Sequence, residues 1–383
     1  MRWARLTLAI VALASACTRS TPPEPSSPSA PPTTEPTVEP SGARLADGSP
    51  LPEGCTGGAA ATDTVAFVAD GRAWALDPTD GDVACLFPVD DPGLFAWGPQ
   101  GDRVLLAHFE IRGLTPQAPD LTALPVRIGP FDWGHPIGLA VVFATPKGHP
   151  GKRFIDTGNV EPLTSLPDGR YVEVAYHPSG LALAFVLESD DGQEIWLSTN
   201  EGEDPHRLVF ADEEGTTFPS IAFTPNGKQL WWTAVHADGQ AQLHWMDLDD
   251  RTGFGTSWSQ AIDGVADDLR LAPGGRLKSL DVGEGCDDRR ALVIEGKDGR
   301  PAVPDESRPT SALGWLDPTT LLVTAGGCDG PLDLYAVDGG GDEDPALLVT
   351  GVEIAAPRTV VTHPPREVPA PPAEEEPPQD GVG

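Results

Sequence analysis

One short pattern recurs through the middle of the chain: an aromatic or apolar pair, then Pro, often Gly, then an apolar run. It reads FAWGPQGDRVLLAH (Phe95 to His108), FDWGHPIGLAVVFA (Phe131 to Ala144), VAYHPSGLALAFVL (Val174 to Leu187), IAFTPNGKQLWWTA (Ile221 to Ala234), LRLAPGGRLKSLDV (Leu269 to Val282) and LGWLDPTTLLVTAG (Leu313 to Gly326). The motif prolines stand at 99, 136, 178, 225, 273 and 318, in steps of 37 to 48 residues. Pro presets φ for a tight turn and Gly supplies a backbone angle other residues avoid, so each copy predicts a β-hairpin.

A second pattern follows each hairpin: an aromatic residue, an apolar one, then a turn-forming polar residue. It appears at Trp74-Ala-Leu-Asp77, Phe154-Ile-Asp156, Trp196-Leu-Ser198, Trp245-Met-Asp247 and Tyr335-Ala-Val-Asp338, with Val293-Ile-Glu295 a weaker copy. These predict third strands. Gly- and Asp-rich turns such as DPTDGD (Asp77 to Asp82) and TNEGED (Thr199 to Asp204) then lead into short apolar outer strands. Four strands per unit, repeated at this period, predict an all-β fold, a β-propeller of four-stranded blades. The 43 glycines and 42 prolines suit that many tight turns.

Over about residues 60 to 362 the chain resembles the TolB-like β-propeller family. The resemblance is clearest in HPSGLALAFVLESDDGQEIWLSTNEGEDPHRLVF and TPNGKQLWWTAVHADGQAQLHWMDLD, and weakest around 110 to 130, where no third strand is recognisable. It implies architecture rather than activity.

Six hairpins account for six blades, yet Thr64 to Phe87 holds a strand-turn-strand series with no first strand before it. The apolar segment Gly351 to His363 follows the last complete blade and has no partners of its own. If it supplies the missing inner strand, the two chain ends close a seven-bladed ring and remove an exposed sheet edge. A six-bladed ring is the alternative, with 95 to 170 forming one blade with a long insertion.

Residues 1–16 carry two arginines, an apolar run from Leu6 to Ala14, and Ala14-Ser15-Ala16 directly before Cys17. This is a secretory signal peptide, too short in its apolar part to span a bilayer. The small residues before the cysteine resemble the lipobox of bacterial lipoproteins, which implies lipidation (palmitate among the acyl groups) at Cys17 and an extracytoplasmic protein anchored to the cell membrane. Ordinary cleavage beside a chance cysteine is the alternative. Residues 17–50 are rich in Pro, Ser, Thr and Glu and read as a flexible tether, with a reach of roughly 100 Å if extended as polyproline II. The propeller is expected at 51–363, and 364–383 as a disordered Pro/Glu-rich tail.

Four cysteines remain, an even number in an exported chain, and allow three pairings. The favoured one joins Cys55 to Cys85 and Cys286 to Cys328. The first bridge would pin the segment before the first blade to that blade's outer strand. Cys286 and Cys328 each sit in a Gly-Cys-Asp turn after the second strand of adjacent blades, which places their loops side by side.

The formal charge of −33 repels phosphate backbones and excludes a general nucleic-acid role. No G-x-S-x-G elbow is present, since Ser257 fails the pattern at its last position, and no histidines show H-E-x-x-H spacing. His135 and His177 adjoin motif prolines and are expected as turn residues. Ser189-Asp190-Asp191-Gly192 and the acidic loops Asp247 to Asp250 and Asp338 to Asp344 are expected as solvated turns rather than calcium sites. Trp97, Trp133 and Trp315 occupy repeat positions where core packing is expected. No catalytic residue, cofactor or metal site is assigned. The sequence therefore favours a non-catalytic binding or scaffold module for an envelope protein or glycan. A hydrolase or lyase using carboxylates in the propeller channel is the alternative.

Overall fold

The computed structural model describes residues 42–357, apart from 56–64, 91–94, 99–102, 107–109, 115–117, 119, 123–129, 135–139, 145–149, 212, 250–253, 305 and 328–329. The signal peptide, Cys17, the tail 364–383, His135 and Cys328 lie outside the described residues. The chain divides into Met1–Ser41 and Gly42–Gly383, and every described strand belongs to the second unit.

Its strands form seven antiparallel sheets arranged as blades. Blade 1 holds Val65–Ala69, Arg72–Leu76 and Val83–Pro88; blade 2 holds Phe95–Trp97, Arg103–Leu106 and Ile111–Gly113. Blade 3 holds Phe131–Trp133, Ala140–Ala144, Pro150–Phe154 and Val160–Pro162; blade 4 holds Arg170–Tyr176, Ala182–Ser189, Gly192–Thr199 and His206–Phe210. Blade 5 holds Thr217–Phe223, Gln229–Val235, Gln240–Asp247 and Phe254–Ala261; blade 6 holds Val265–Leu271, Leu277–Gly283, Arg290–Glu295 and Asp298–Pro301. Blade 7 holds Thr310–Trp315, Thr320–Ala325, Leu332–Asp338 and Ala346–Val352.

Each motif hairpin joins a first, inner strand to a second. In blades 4, 5 and 6 the turn closes the same way: the N–H of Gly180, Gly227 or Gly275 donates to the carbonyl of His177, Thr224 or Ala272, the residue before the motif Pro. The three glycines have φ of 72°, 69° and 71°, the left-handed region that disfavours a side chain. Blade 7 has no Gly there, and Asp317 Oδ1 instead accepts the N–H groups of Thr319 and Thr320, each at 2.7 Å. The recurrent aromatics fall on third strands, as expected. Blade 2 does have a third strand, Ile111–Gly113, but three residues are too few to carry a sequence pattern.

The ring closes as the sequence predicts. Ile354–Pro357 pairs antiparallel with Val65–Ala69 and becomes the inner strand of blade 1. Among the described residues seven hydrophobic clusters are found, one at each blade-to-blade interface including that between blades 7 and 1, which decides for seven blades over six. Trp97, Trp133 and Trp315 are buried in these clusters, as their repeat positions required.

The expected boundary of the tether at residue 50 is corrected. Arg44–Leu45 adds to the outer edge of blade 7 by pairing with Thr350 and Val349, and Ala43 is buried in the cluster between blades 7 and 1. Cys55 and Cys85 are joined by a disulfide, with their Cα atoms 4.8 Å apart. The N-terminal segment therefore crosses the seam from the outer edge of blade 7 to the outer strand of blade 1, while the C-terminal strand closes it from inside. Cys286 is disulfide-bonded. The turn holding it abuts the next blade's corresponding turn, since a β-carbon at Gly327 would lie 3.6 Å from Asp287 Oδ1.

Candidate functional site

The inner strands of blades 4, 5, 6 and 7 share an irregularity: their pairing with the second strand slips at Tyr171/Glu173, Thr217/Ser220, Asp267/Arg270 and Ala312/Gly314. Such bulges bend a strand and redirect its side chains. In blades 4, 5 and 6 the residues that follow the bulge, Glu173, Ser220 and Arg270, line a cavity of about 200 Å³ in the channel. Phe131 and Asp132 of blade 3 complete it, and Tyr176, Phe223 and the motif prolines 178, 225 and 273 give it an apolar wall.

Asp132 has both carboxylate oxygens engaged. Oδ1 accepts the N–H of Trp133 at 2.8 Å and Oδ2 accepts the N–H of Tyr176, on the next blade, at 2.7 Å. It is therefore a tie between blades 3 and 4. Asp132 is part-buried, and desolvation by the surrounding protein pushes its pKa up to about 6 against the pull of the two N–H donors and Arg270. Glu173 is raised further, to about 8, chiefly by desolvation. The N–H of Val174 and the charge of Arg270 oppose that rise, and Asp268 and Asp132 add to it. At neutral pH Glu173 holds a proton and Asp132 is mostly ionised.

Comparable ties run between other blades. Gln193 Oε1 accepts the N–H of Phe218, and Ser220 Oγ that of Leu269 at 2.9 Å. Between blades 6 and 7, Asp281 Oδ1 accepts the N–H of Ala312 at 2.8 Å. Asp281 is fully buried, and its other oxygen accepts Arg289 Nε at 2.8 Å. Burial drives the pKa of Asp281 up to about 7, opposed by those two donors. Arg289 also pairs with Asp267 and, at 2.6 Å, with Asp268. Asp268 sits at φ 52° in the bulge, and its other oxygen faces Arg270 at 3.3 Å.

His177 occupies its turn as expected and also does something sequence did not suggest. Its Nε2 lies 2.9 Å from the carbonyl oxygen of Gly227, so the turn of blade 4 is fastened to that of blade 5. Ser189 to Gly192 is the plain turn between the second and third strands of blade 4. Asp338 is spent on its own loop, accepting the N–H groups of Gly340 at 3.0 Å and Asp342 at 2.8 Å. Asp247 Oδ1 accepts Gln229 Nε2 at 2.8 Å, and Asp250 lies outside the described residues. Among the described residues no three His, Cys, Asp or Glu side chains are grouped to hold a metal ion. Among them, too, no helix is long and apolar enough to cross a membrane.

The channel residues were missed by sequence reasoning, which named carboxylates in the channel only as a class. A signal existed in the repeat: Glu173 and Ser220 stand five residues before their motif Pro, and Ala175, Ala222 and Arg270 three before theirs. Odd steps back from the turn along an inner strand share a face.

No protein-family model matches the chain, and no curated protein matches its sequence. Among solved structures, an oligogalacturonate lyase in complex with manganese is similar with a TM-score of 0.54 at 12% identity, covering 77% of this chain and 88% of that one. The β-propeller domain of Cps50 (Swd1) from Myceliophteria thermophila gives a TM-score of 0.52 at 12% identity, covering 76% and 93%. TolB proteins are also among the similar structures: a putative TolB from Agrobacterium tumefaciens gives 0.45 at 13% identity, covering 61% and 86%. At these identities the likeness is one of fold.

Proposed function

We propose that this chain is a lipid-anchored, extracytoplasmic binding protein whose propeller receives a group from its ligand in the channel pocket and performs no chemistry on it. One observation carries the non-catalytic reading. Both oxygens of Asp132 are occupied by backbone N–H groups, one from the adjacent Trp133 and one from Tyr176 on the next blade. A carboxylate committed in this way is a poor base or nucleophile, because it would have to release structural donors to react. The pocket otherwise has the makeup of a recognition site, apolar walls with a few convergent polar groups. The signal segment, Cys17 and the linker support placing it outside the cytoplasm, near an envelope protein or glycan.

The test is capture of a ligand from envelope fractions by the mature domain, compared with an Ala222→Trp variant. Ala222 lines the pocket and a Trp there fills it. A specific ligand retained by the wild type and lost by the variant is expected; recovery of nothing specific by either would overturn the reading.

A catalytic reading draws support from Glu173, whose carboxyl keeps its proton at neutral pH beside an ionised Asp132. Pairs of acids pushed apart in this way serve as acid and base in glycan-cleaving enzymes. The lyase that shares the fold acts on oligogalacturonate, so that substrate belongs in the panel. Turnover of any glycan that disappears in Glu173→Gln would replace the binding reading with this one.

A further inference from the structure

The charges around the channel pocket are unevenly matched. Arg270, the one cation among the described residues that line it, faces Asp268 at 3.3 Å, and Asp268 in turn holds Arg289 at 2.6 Å. Among the described residues neither Asp132 nor Glu173 has an ion-pair partner within 4 Å. Two part-buried carboxyls thus line a cavity whose one cation among the described residues faces another acid. The two N–H donors on Asp132 favour its ionised form, a negative charge that Arg270 attracts without forming an ion pair.

The remaining lining is apolar and aromatic. At about 200 Å³ the cavity is smaller than the roughly 300–1,000 Å³ pockets that take drug-sized ligands, so it suits a single short chain. Aromatic rings accept methylene groups and also attract a cation over their faces.

We propose that this pocket binds an organic cation, a primary ammonium group on a short aliphatic chain, between the carboxyls of Asp132 and Glu173 and beside the rings of Phe131, Tyr176 and Phe223. The proposal rests on the reading of the channel as a ligand site and adds the chemical class of what enters it. Glu173, raised to about 8 chiefly by desolvation, holds a proton at neutral pH. An ammonium takes the place of that proton, which leaves for solvent. Among the described residues the charged groups that act most on Glu173 are Asp132, Asp268 and Arg270. Of these only Arg270 opposes a cation. The net charge of −33 raises the local concentration of such a ligand further.

Calorimetric titration of the mature chain with 1,5-diaminopentane, 1,5-pentanediol and glutarate, which have the same backbone length and differ in charge, decides the matter. The diamine is expected to bind one to one. At pH 7 the heat should vary with the ionisation enthalpy of the buffer, because a proton is released. Glu173→Gln should weaken the diamine about tenfold or more, the loss of one charge-assisted contact, and abolish the proton release. Arg270→Gln should tighten it, a second variant that does not touch the carboxyls. Absence of diamine binding overturns the inference, as does binding unchanged in both variants. Binding of the diol or glutarate without the diamine overturns the cation while leaving the channel a ligand site. If none of the three binds, the cation is again excluded, and the Ala222→Trp capture experiment judges the channel on its own.

Discussion

Asp132 of blade 3 accepts the backbone N–H of Tyr176 in blade 4 at 2.7 Å, so one side chain both lines the channel and holds two blades together. Asp132→Ala leaves that N–H and the one of Trp133 without their acceptor. Each buried donor left unsatisfied costs roughly 1–3 kcal/mol. A loss of unfolding free energy of that order, read from urea denaturation, is expected, whereas Asp132→Asn, which keeps an oxygen for one donor, should lose less.

Stability should fall as pH rises from about 5 to 8. Asp132, Asp281 and Glu173 have folded-state pKa values raised to about 6, 7 and 8. In that window the native chain binds more protons than the unfolded chain, so ionisation favours unfolding. The slope should flatten in Glu173→Gln above pH 7. At the acid end Glu306, held down to about 2 chiefly by its hydrogen bonds to Arg308, reverses the sign, and its contribution is lost as pH drops from about 4.5 towards 2. Urea midpoints measured from pH 2 to 9 should therefore peak near pH 5; a rise from 5 to 8 would contradict the assignment.

Reducing the Cys55–Cys85 bridge should destabilise the ring without changing its blade count. For the separation of 30 residues the loop-entropy estimate is about 3 to 4 kcal/mol. The comparison of Cys55→Ser/Cys85→Ser with wild type by thermal melting measures it, with strand content from circular dichroism unchanged at 25 °C.

Ending the chain after Glu353 removes Ile354–Pro357 and bares the edge of Val65–Ala69, a strand buried along its whole length. An unpaired apolar edge invites pairing with another chain. Concentration-dependent association in size-exclusion chromatography is expected, where ending the chain at 363 should leave a monodisperse species.

Cys17→Ala should move the protein from the membrane fraction to the soluble extracytoplasmic one. A variant still fully membrane-bound after carbonate washing would contradict lipid anchoring.

The blades were legible because a hairpin is a local event. Pro and Gly fix each turn within a few residues, and the third-strand aromatics Trp74, Trp196, Trp245 and Tyr335 follow at steady distances. Closure was legible from a deficit, a first blade without an inner strand and a C-terminal segment without a blade. The pairing of Arg44 with Thr350 was not, since two residues show no periodicity and nothing local demands a partner over 300 positions away. The channel pocket was equally hidden. What distinguishes Glu173 from the many solvated carboxylates of an acidic chain is desolvation, and that exists only once the inner strands of four blades face one another.

The seam between blades 7 and 1 has a mechanical consequence. Force arriving along the N-terminal segment meets Arg44 and Leu45 first, then Cys55, where a covalent link transfers it to Cys85 on the outer strand of blade 1. The load path keeps to the rim, away from Ile354–Pro357 at the hub. A protein pulled by its N-terminal segment would thus be strained at its circumference while the pocket-lining strands kept their spacing, an arrangement that works as strain relief on a cable.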